Sequence, residues 1–143
     1  MRQSVSGMRK MLPMRVPRAP AINFMKNSII LRAAEAAHVP MESGALTWFA
    51  SRQLGNSETM TVGRATLPPG GMNPRHFHPN CEEVLHVLHG KILHTMGDDE
   101  AKLAPGDTIT IPAGVVHNAR NIGDTDAVLL ICFSSADRET VWV

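Results

Sequence analysis

Residues 70–90 read GGMNPRHFHPNCEEVLHVLHG, and residues 106–121 read GDTITIPAGVVHNARN. His76 and His78 are one residue apart, which in a strand puts both imidazoles on one face and Phe77 on the other. Two nitrogen ligands can then meet one ion, although a lone HxH pair also arises by accident. Glu82 and Glu83 follow the turn Pro79-Asn80, where a returning strand can bring a carboxylate to the same ion. If Glu83 points inward, Leu85, Val87 and His89 share its face. Periodicity leaves the choice between the two glutamates open, because both faces of a sandwich strand can be apolar. His117 lies 39 positions beyond His78, after the rigid turn Pro112-Ala113-Gly114 that can bring a later strand back across a barrel. Three imidazoles and one carboxylate form a mixed N/O donor set suited to a divalent transition metal. A six-coordinate Mn, Fe, Co or Ni would keep two positions for water, substrate or dioxygen, whereas zinc could be closed by all four ligands in a structural site.

Outward from these two stretches the chain is a succession of short segments punctuated by turn formers. The clearest segments are 45–53, 59–67, 83–89, 91–96, 108–111 and 127–133. Gly55-Asn56, Pro68-Pro69-Gly70-Gly71, Gly97-Asp98-Asp99, Pro105-Gly106-Asp107 and Gly123-Asp124 break them. Many short strands at close spacing predict an all-β barrel or sandwich, and the lack of βαβ alternation disfavours a parallel nucleotide fold. His89-Gly90-Lys91 reads as a tight hairpin and Gly97 to Glu100 as a second polar turn. The Ala-rich stretch 33–37 suggests one or two helical turns.

The 143 residues suit a single domain, and no run approaches the roughly 18 apolar residues of a membrane span. The formal net charge of +1 hides an asymmetry. Residues 1–34 carry seven Lys/Arg and no acid; the remaining 109 residues hold seven bases against thirteen acids, a net of −6. An acidic body is a poor polyphosphate binder, so neither nucleic acid nor membrane is an expected partner. Residues 1–24, with Pro13, Pro17 and Pro20 among Arg and Met, show no sustained periodicity and no secretory h-region, and are expected to be disordered. Two alternatives for that head are an organelle-targeting segment and an over-extended start with translation beginning at Met25. Cys81 and Cys132 fit no zinc-site spacing and read as free thiols of a cytoplasmic protein.

The chain resembles the cupin superfamily. Its first motif (glycine, five residues, HxH, three or four residues, glutamate, six residues, glycine) is met by Gly70, His76, His78, Glu83 and Gly90. Its second (glycine, five residues, PxG, two residues, histidine, three residues, asparagine) is met by Gly106, Pro112, Gly114, His117 and Asn121. The resemblance implies a double-stranded β-helix, or jelly roll, over residues 25–143, with His76, His78, Glu83 and His117 as metal ligands inside the barrel. It also resolves the carboxylate choice, since only Glu83 gives the six-residue step to Gly90. Gly90, Gly106 and Gly114 suit turns of positive φ, and Asn121 reads as structural. The fifteen residues between Gly90 and Gly106 are close to the shortest linker of the family, so a minimal single-cupin protein is expected.

Cupins of this size include dioxygenases, decarboxylases, isomerases, and sugar-binding and sensor proteins, so fold alone does not fix the reaction. The leading expectation is a metal-dependent enzyme of dioxygenase or decarboxylase type acting on a small oxygen-rich substrate. A non-catalytic metal- or ligand-binding cupin and an isomerase-type cupin are the alternatives; the absence of Tyr and the count of six aromatics speak against a carbohydrate-stacking platform. Candidate proton-handling groups are Glu82, His89, His94 and Cys81, and Arg64 is a candidate anchor for a substrate carboxylate. Their structural alternatives are a hairpin-end His89, a buried inert Cys81 and a solvated Arg64, while His86 and His94 read as surface or interface residues. Exposed jelly-roll edges suggest a homodimer, with any exchanged strand coming from residues 25–60.

Overall fold

Ala127, Leu129, Ile131 and Phe133 are buried while the residues between them are only half-buried, the period-2 signature of a strand with one face on a core. That strand, β10 (Ala127–Phe133), sits near the middle of a six-stranded sheet in a computed structural model that describes residues 30–143. The expectations for residues 1–24 and Met25 lie outside the described residues.

A short 3-10 turn at Ala33–Glu35 leads into β1 (Ala37–Met41), β2 (Gly44–Ala50), β3 (Thr61–Leu67), β4 (His76–Phe77) and β5 (Glu83–His89). The chain continues through β6 (Ile92–Met96), β7 (Asp99–Leu103), β8 (Thr108–Ile111), β9 (His117–Asn121), β10 and β11 (Val141–Trp142). One sheet has the order β1-β2-β3-β10-β5-β8 and the other β11-β4-β9-β6-β7, all pairs antiparallel. From β3 onward the chain crosses repeatedly between the sheets, as a jelly roll requires. The all-β double-stranded β-helix expected from the motifs is the fold observed.

Leu67, Leu85, Val87, Ile92, Ile111, Leu129 and Phe133 fill the space between the sheets. Each such side chain removed from water contributes about 1.5–3 kcal/mol. The six strong apolar segments of the sequence all became strands. The segments that escaped notice are short or polar: β11 has two residues, and β1 (AHVPM) and β7 (DEAKL) are sheet-edge strands whose side chains are mostly exposed. The 33–37 stretch makes only one 3-10 turn before β1 begins, because Ala37–Met41 pairs in register with β2. Among the described residues no helix is long and apolar enough to cross a membrane.

Two glycines show how tightly the turns are specified. Gly90 has φ +77°, and a Cβ there would lie 2.7 Å from Ala127 Cα and 2.8 Å from the Asp126 carbonyl oxygen. Gly97 has φ +61° but open space around it. In urea unfolding we expect Gly97→Ala to cost about 1–2 kcal/mol, the left-handed penalty alone. Gly90→Ala is expected to cost at least about 3 kcal/mol, because backbone must move as well; equal costs would show that the Gly90 approach is not tight.

Candidate metal centre

The antiparallel pairing of β4 with β9 sets His76 directly opposite His117, and His78 follows one step beyond β4. Glu83, the first residue of β5, comes from the facing sheet, where it pairs with Ile111 and Phe133. The PxG turn is tied to the HxH stretch by a hydrogen bond from the Gly114 amide to the His78 carbonyl, 2.8 Å. All four side chains are buried, and one donor atom of each lies within 4.8 Å of the others. Two trans donors at bonds of roughly 2.1 Å would be about 4.2 Å apart, so small side-chain shifts suffice to close on an ion.

Each of the three imidazoles is oriented by its far nitrogen. His76 Nδ1–H donates to the Pro74 carbonyl (2.8 Å), His78 Nδ1–H to the Glu139 carbonyl (2.7 Å) and His117 Nδ1–H to the Val115 carbonyl (2.9 Å). With Nδ1 engaged as donor, the neutral ring carries its lone pair on Nε2, which is the state a metal needs. The Nε2 atoms of His78 and His117 stand 3.1 and 3.0 Å from the same Glu83 oxygen, Oε2. The donor set therefore fits a divalent ion: three imidazole nitrogens and one carboxylate, converging and buried.

The electrostatics agree. Burial would raise the pKa of Glu83, but hydrogen bonds from His117 and His78 outweigh it and hold the carboxyl down at about 2. Glu83 is the only buried acid among the described residues. Burial pulls His76 down to about 4. At His117 burial also acts downward, but the hydrogen bond to Glu83 prevails and the pKa is raised.

The other residues proposed from sequence fall elsewhere. Glu82 is exposed, its amide accepted by Ser134 Oγ. His89 is exposed at the end of β5, its ring donating to the Asp126 carbonyl. The parity argument failed there because the β5–β10 register shifts between Val128 and Leu129, a bulge that turns the last residues of β5 off the inward face. Arg64 is exposed on β3, over the Phe49 ring. Cys81 is buried in the core cluster, its pKa raised by burial, and forms no disulfide. His86 is bonded to Thr108 Oγ1 near the surface. His94, expected at a surface or interface, is instead 1% exposed, its ring stacked at 17° and 5.8 Å on that of His117. Asn121 is structural: its amide nitrogen donates to the Leu67 and Thr125 carbonyls and its oxygen accepts from Gly123.

Sequence reasoning missed the tail, residues 134–143. It carries the Glu139 carbonyl that orients His78, lays Trp142 against His76 at 5.1 Å, and brings Arg138 to the cavity beside the ligands. No local pattern in SSADRETVWV signals this. The cavity, ≈ 60 Å³, is walled largely by Met41, Leu46, Leu129, Ile131 and Phe133.

A jelly-roll barrel with three imidazoles and a carboxylate gathered between its sheets defines a metal-binding barrel. This chain belongs to the cupin superfamily: the cupin domain family matches residues 63–133. Germin-like protein 3-8 of Oryza sativa subsp. japonica is 36% identical over 85 residues, covering 56% of this chain and 38% of that protein. Oxalate oxidase 1 of Hordeum vulgare is 33% identical over 96 residues, covering 62% of this chain and 48% of that protein. Among solved structures, Bacillus subtilis oxalate decarboxylase, studied for its Mn(II) centres, superposes with a TM-score of 0.68 at 26% identity, covering 74% of this chain and 29% of that one. The matches thus span less than half the length of each of these proteins.

Two measurements test the centre. Because His117 is raised above 6.5 in the metal-free barrel, binding of Mn²⁺ at pH 7 is expected to displace a proton, and affinity to fall further as pH drops. Calorimetry in buffers of different ionisation enthalpy reads this directly; proton-independent binding would show that His117 is already neutral in the metal-free protein. His94 is pulled down to about 4 by burial, so in metal-free protein keeping its ring neutral costs nothing extra above pH 6.5 and lowers stability progressively as pH falls towards 4. His94→Leu should therefore flatten the decline in urea-unfolding stability between pH 6.5 and 4, and an unchanged slope would refute the assignment.

Proposed function

We propose that this protein is a divalent-metal-dependent enzyme acting on a small, oxygen-rich acid or enol, by dioxygenase- or decarboxylase-type chemistry. The observation that carries this reading is the presentation of three Nε2 lone pairs and the Glu83 carboxylate to one point beside a small, largely apolar cavity. The names of its relatives, oxalate oxidase and oxalate decarboxylase, support a small carboxylate as substrate class, and the Mn(II) centres of the latter support manganese. A divalent ion held there would polarise a coordinated substrate oxygen as a Lewis acid and, if redox-active, would open one-electron chemistry with dioxygen.

The chain's own residues supply binding, orientation and exclusion of water. A cavity of ≈ 60 Å³ holds a molecule of few heavy atoms, and its apolar walls keep bulk water from the reacting centre. Asn73, which lines it, has its Oδ1 fixed by the Ala119 amide at 2.7 Å, so its Nδ2–H groups are left to offer a ligand. The only ionisable residues among the described cavity lining are His76, His78, Glu83 and Arg138. An isomerase needs an independent base to move a proton, and the lining provides none beyond the ligands themselves. That favours chemistry centred on the ion.

Protein purified without chelator or histidine tag is expected to carry close to one equivalent of Mn, Fe, Co or Ni by mass spectrometry, and His76→Ala to lose it. Loaded protein is then offered oxalate and small keto acids in an oxygen electrode with CO2 detection. Oxygen uptake marks an oxidase or dioxygenase, and CO2 release without net uptake marks a decarboxylase. A folded protein that takes up no metal on reconstitution sinks the reading.

A further inference from the structure

Arg138 is the only cationic Lys or Arg side chain in the lining of the metal-site cavity, and it reaches that position from the C-terminal tail. Its guanidinium carbon lies 4.6 Å from the Trp48 ring centroid and 4.9 Å from that of Phe133. The Phe133 ring in turn meets His78 edge to face at 4.9 Å. The guanidinium is therefore one aromatic ring away from a metal ligand. Its backbone is clamped on both sides by Asn80, whose Nδ2 donates to the Asp137 carbonyl (2.8 Å) and whose Oδ1 accepts from the Glu139 amide (3.0 Å). Asn80 sits between His78 and Glu83 in the chain, so one residue registers the tail against the ligand loop.

This cation forms no ion pair among the described residues, and Glu83 acts on it only at longer range. No carboxylate lies within ion-pair distance of it among the described residues, and residues 1–29 contain no acid. Its one side-chain hydrogen bond goes to Thr140 Oγ1, and its Nε–H is buried without an acceptor. A guanidinium presents a planar fork of donors matched to a carboxylate, and an unpaired buried charge is costly to hold. Stacking on Trp48 and Phe133 fixes the plane but satisfies no N–H group. Arg138 is half-buried, so the groups open to it are solvent or an anion that enters the cavity.

We infer that Arg138 is a specificity-determining residue: it receives the carboxylate of a small anionic substrate whose other oxygen faces the ligand cluster. This rests on the proposed reading of the same site, but it adds a requirement that the metal ligands alone do not impose. Substrates must carry a negative charge, and neutral analogues of the same shape are poorly held. Arg64, the arginine chosen from sequence for this role, faces solvent on β3 and is replaced in it by Arg138.

Pyruvate and its neutral isostere pyruvamide are suitable probes, titrated into metal-loaded and metal-free protein and followed by calorimetry and by the fluorescence of Trp48 and Trp142. In native loaded protein pyruvate should bind more tightly than pyruvamide. Arg138→Gln should weaken pyruvate roughly 30-fold or more while leaving pyruvamide within about twofold. Arg138→Met, which keeps the packing of the stem, should behave the same way, and Arg138→Lys should recover part of the affinity. Metal content and circular dichroism of each variant separate this loss from misfolding. Pyruvate binding unmoved by either neutral variant, or absent from a native protein that holds its metal, overturns the assignment and leaves the metal site standing. Arginine-dependent pyruvate binding in a protein that retains no metal would support the assignment while removing the metalloenzyme reading.

Discussion

Three imidazoles give their Nδ1–H groups to backbone carbonyls at Pro74, Val115 and Glu139, and everything functional in this barrel depends on that outward anchoring. A histidine ring free to rotate or change tautomer would present a proton to the centre as readily as a lone pair. Held as they are, the rings turn three acceptors towards one point, and the carboxylate of Glu83 makes a fourth. Four acceptors facing one another in a dry interior repel unless a cation or shared protons intervene. The short contacts from His78 and His117 to Glu83 show the proton solution, and the donor set shows what an ion would replace. Two of the anchoring carbonyls are local, two residues from the ring they hold. The third, at Glu139, is 61 residues from His78 and ties the tail to the site.

That tail makes the centre a product of the whole described chain. The two motif stretches bring the ligands together through the β4–β9 pairing and the bond from Gly114 to His78. Residues 134–143 then close one side, with β11 paired to β4 and the Val143 amide bonded to the Arg75 carbonyl. Loss of these contacts would free His78 and expose His76 without touching a ligand. The hydrophobic core behind them keeps the two sheets at a fixed separation, which fixes how far Glu83 stands from the histidines on the facing sheet.

The fold and the four ligands were legible because turns and ligands leave marks that survive in one dimension. Glycines at positive φ, a proline and a one-residue histidine spacing are local, and the apolar segments were long enough to show as strands. Glu83 became distinguishable from Glu82 only through motif spacing, since β5 is apolar on both faces. His89 is the hairpin-end histidine that was its structural alternative; its inward parity fails because a bulge is a property of two paired strands, and neither strand alone announces it. His94 was misplaced for a different reason. In ILHTM it occupies the same inward parity as Ile92, but a histidine at such a position looks like a polar surface residue until its neighbours are known. Arg138 was invisible because what matters about it, two aromatic rings and a cavity, comes from residues 48 and 133 and from long-range closure.

His94 and Arg138 share one feature, buried nitrogen atoms without hydrogen-bond partners, and the contrast between them shows how to read it. His94 is packed behind His117 and does not line the cavity. Burial keeps its ring neutral, so its unpartnered nitrogens cost stability and serve as filler that a hydrocarbon could replace. Arg138 cannot take that route, because a guanidinium keeps its charge even though burial acts to lower its pKa. A neutral group can be sealed in the interior at modest cost, whereas a permanent charge needs either solvent or an anion. With aromatic rings stacked against the guanidinium and the cavity beside it, access to a ligand is what separates a tolerated defect from a binding group.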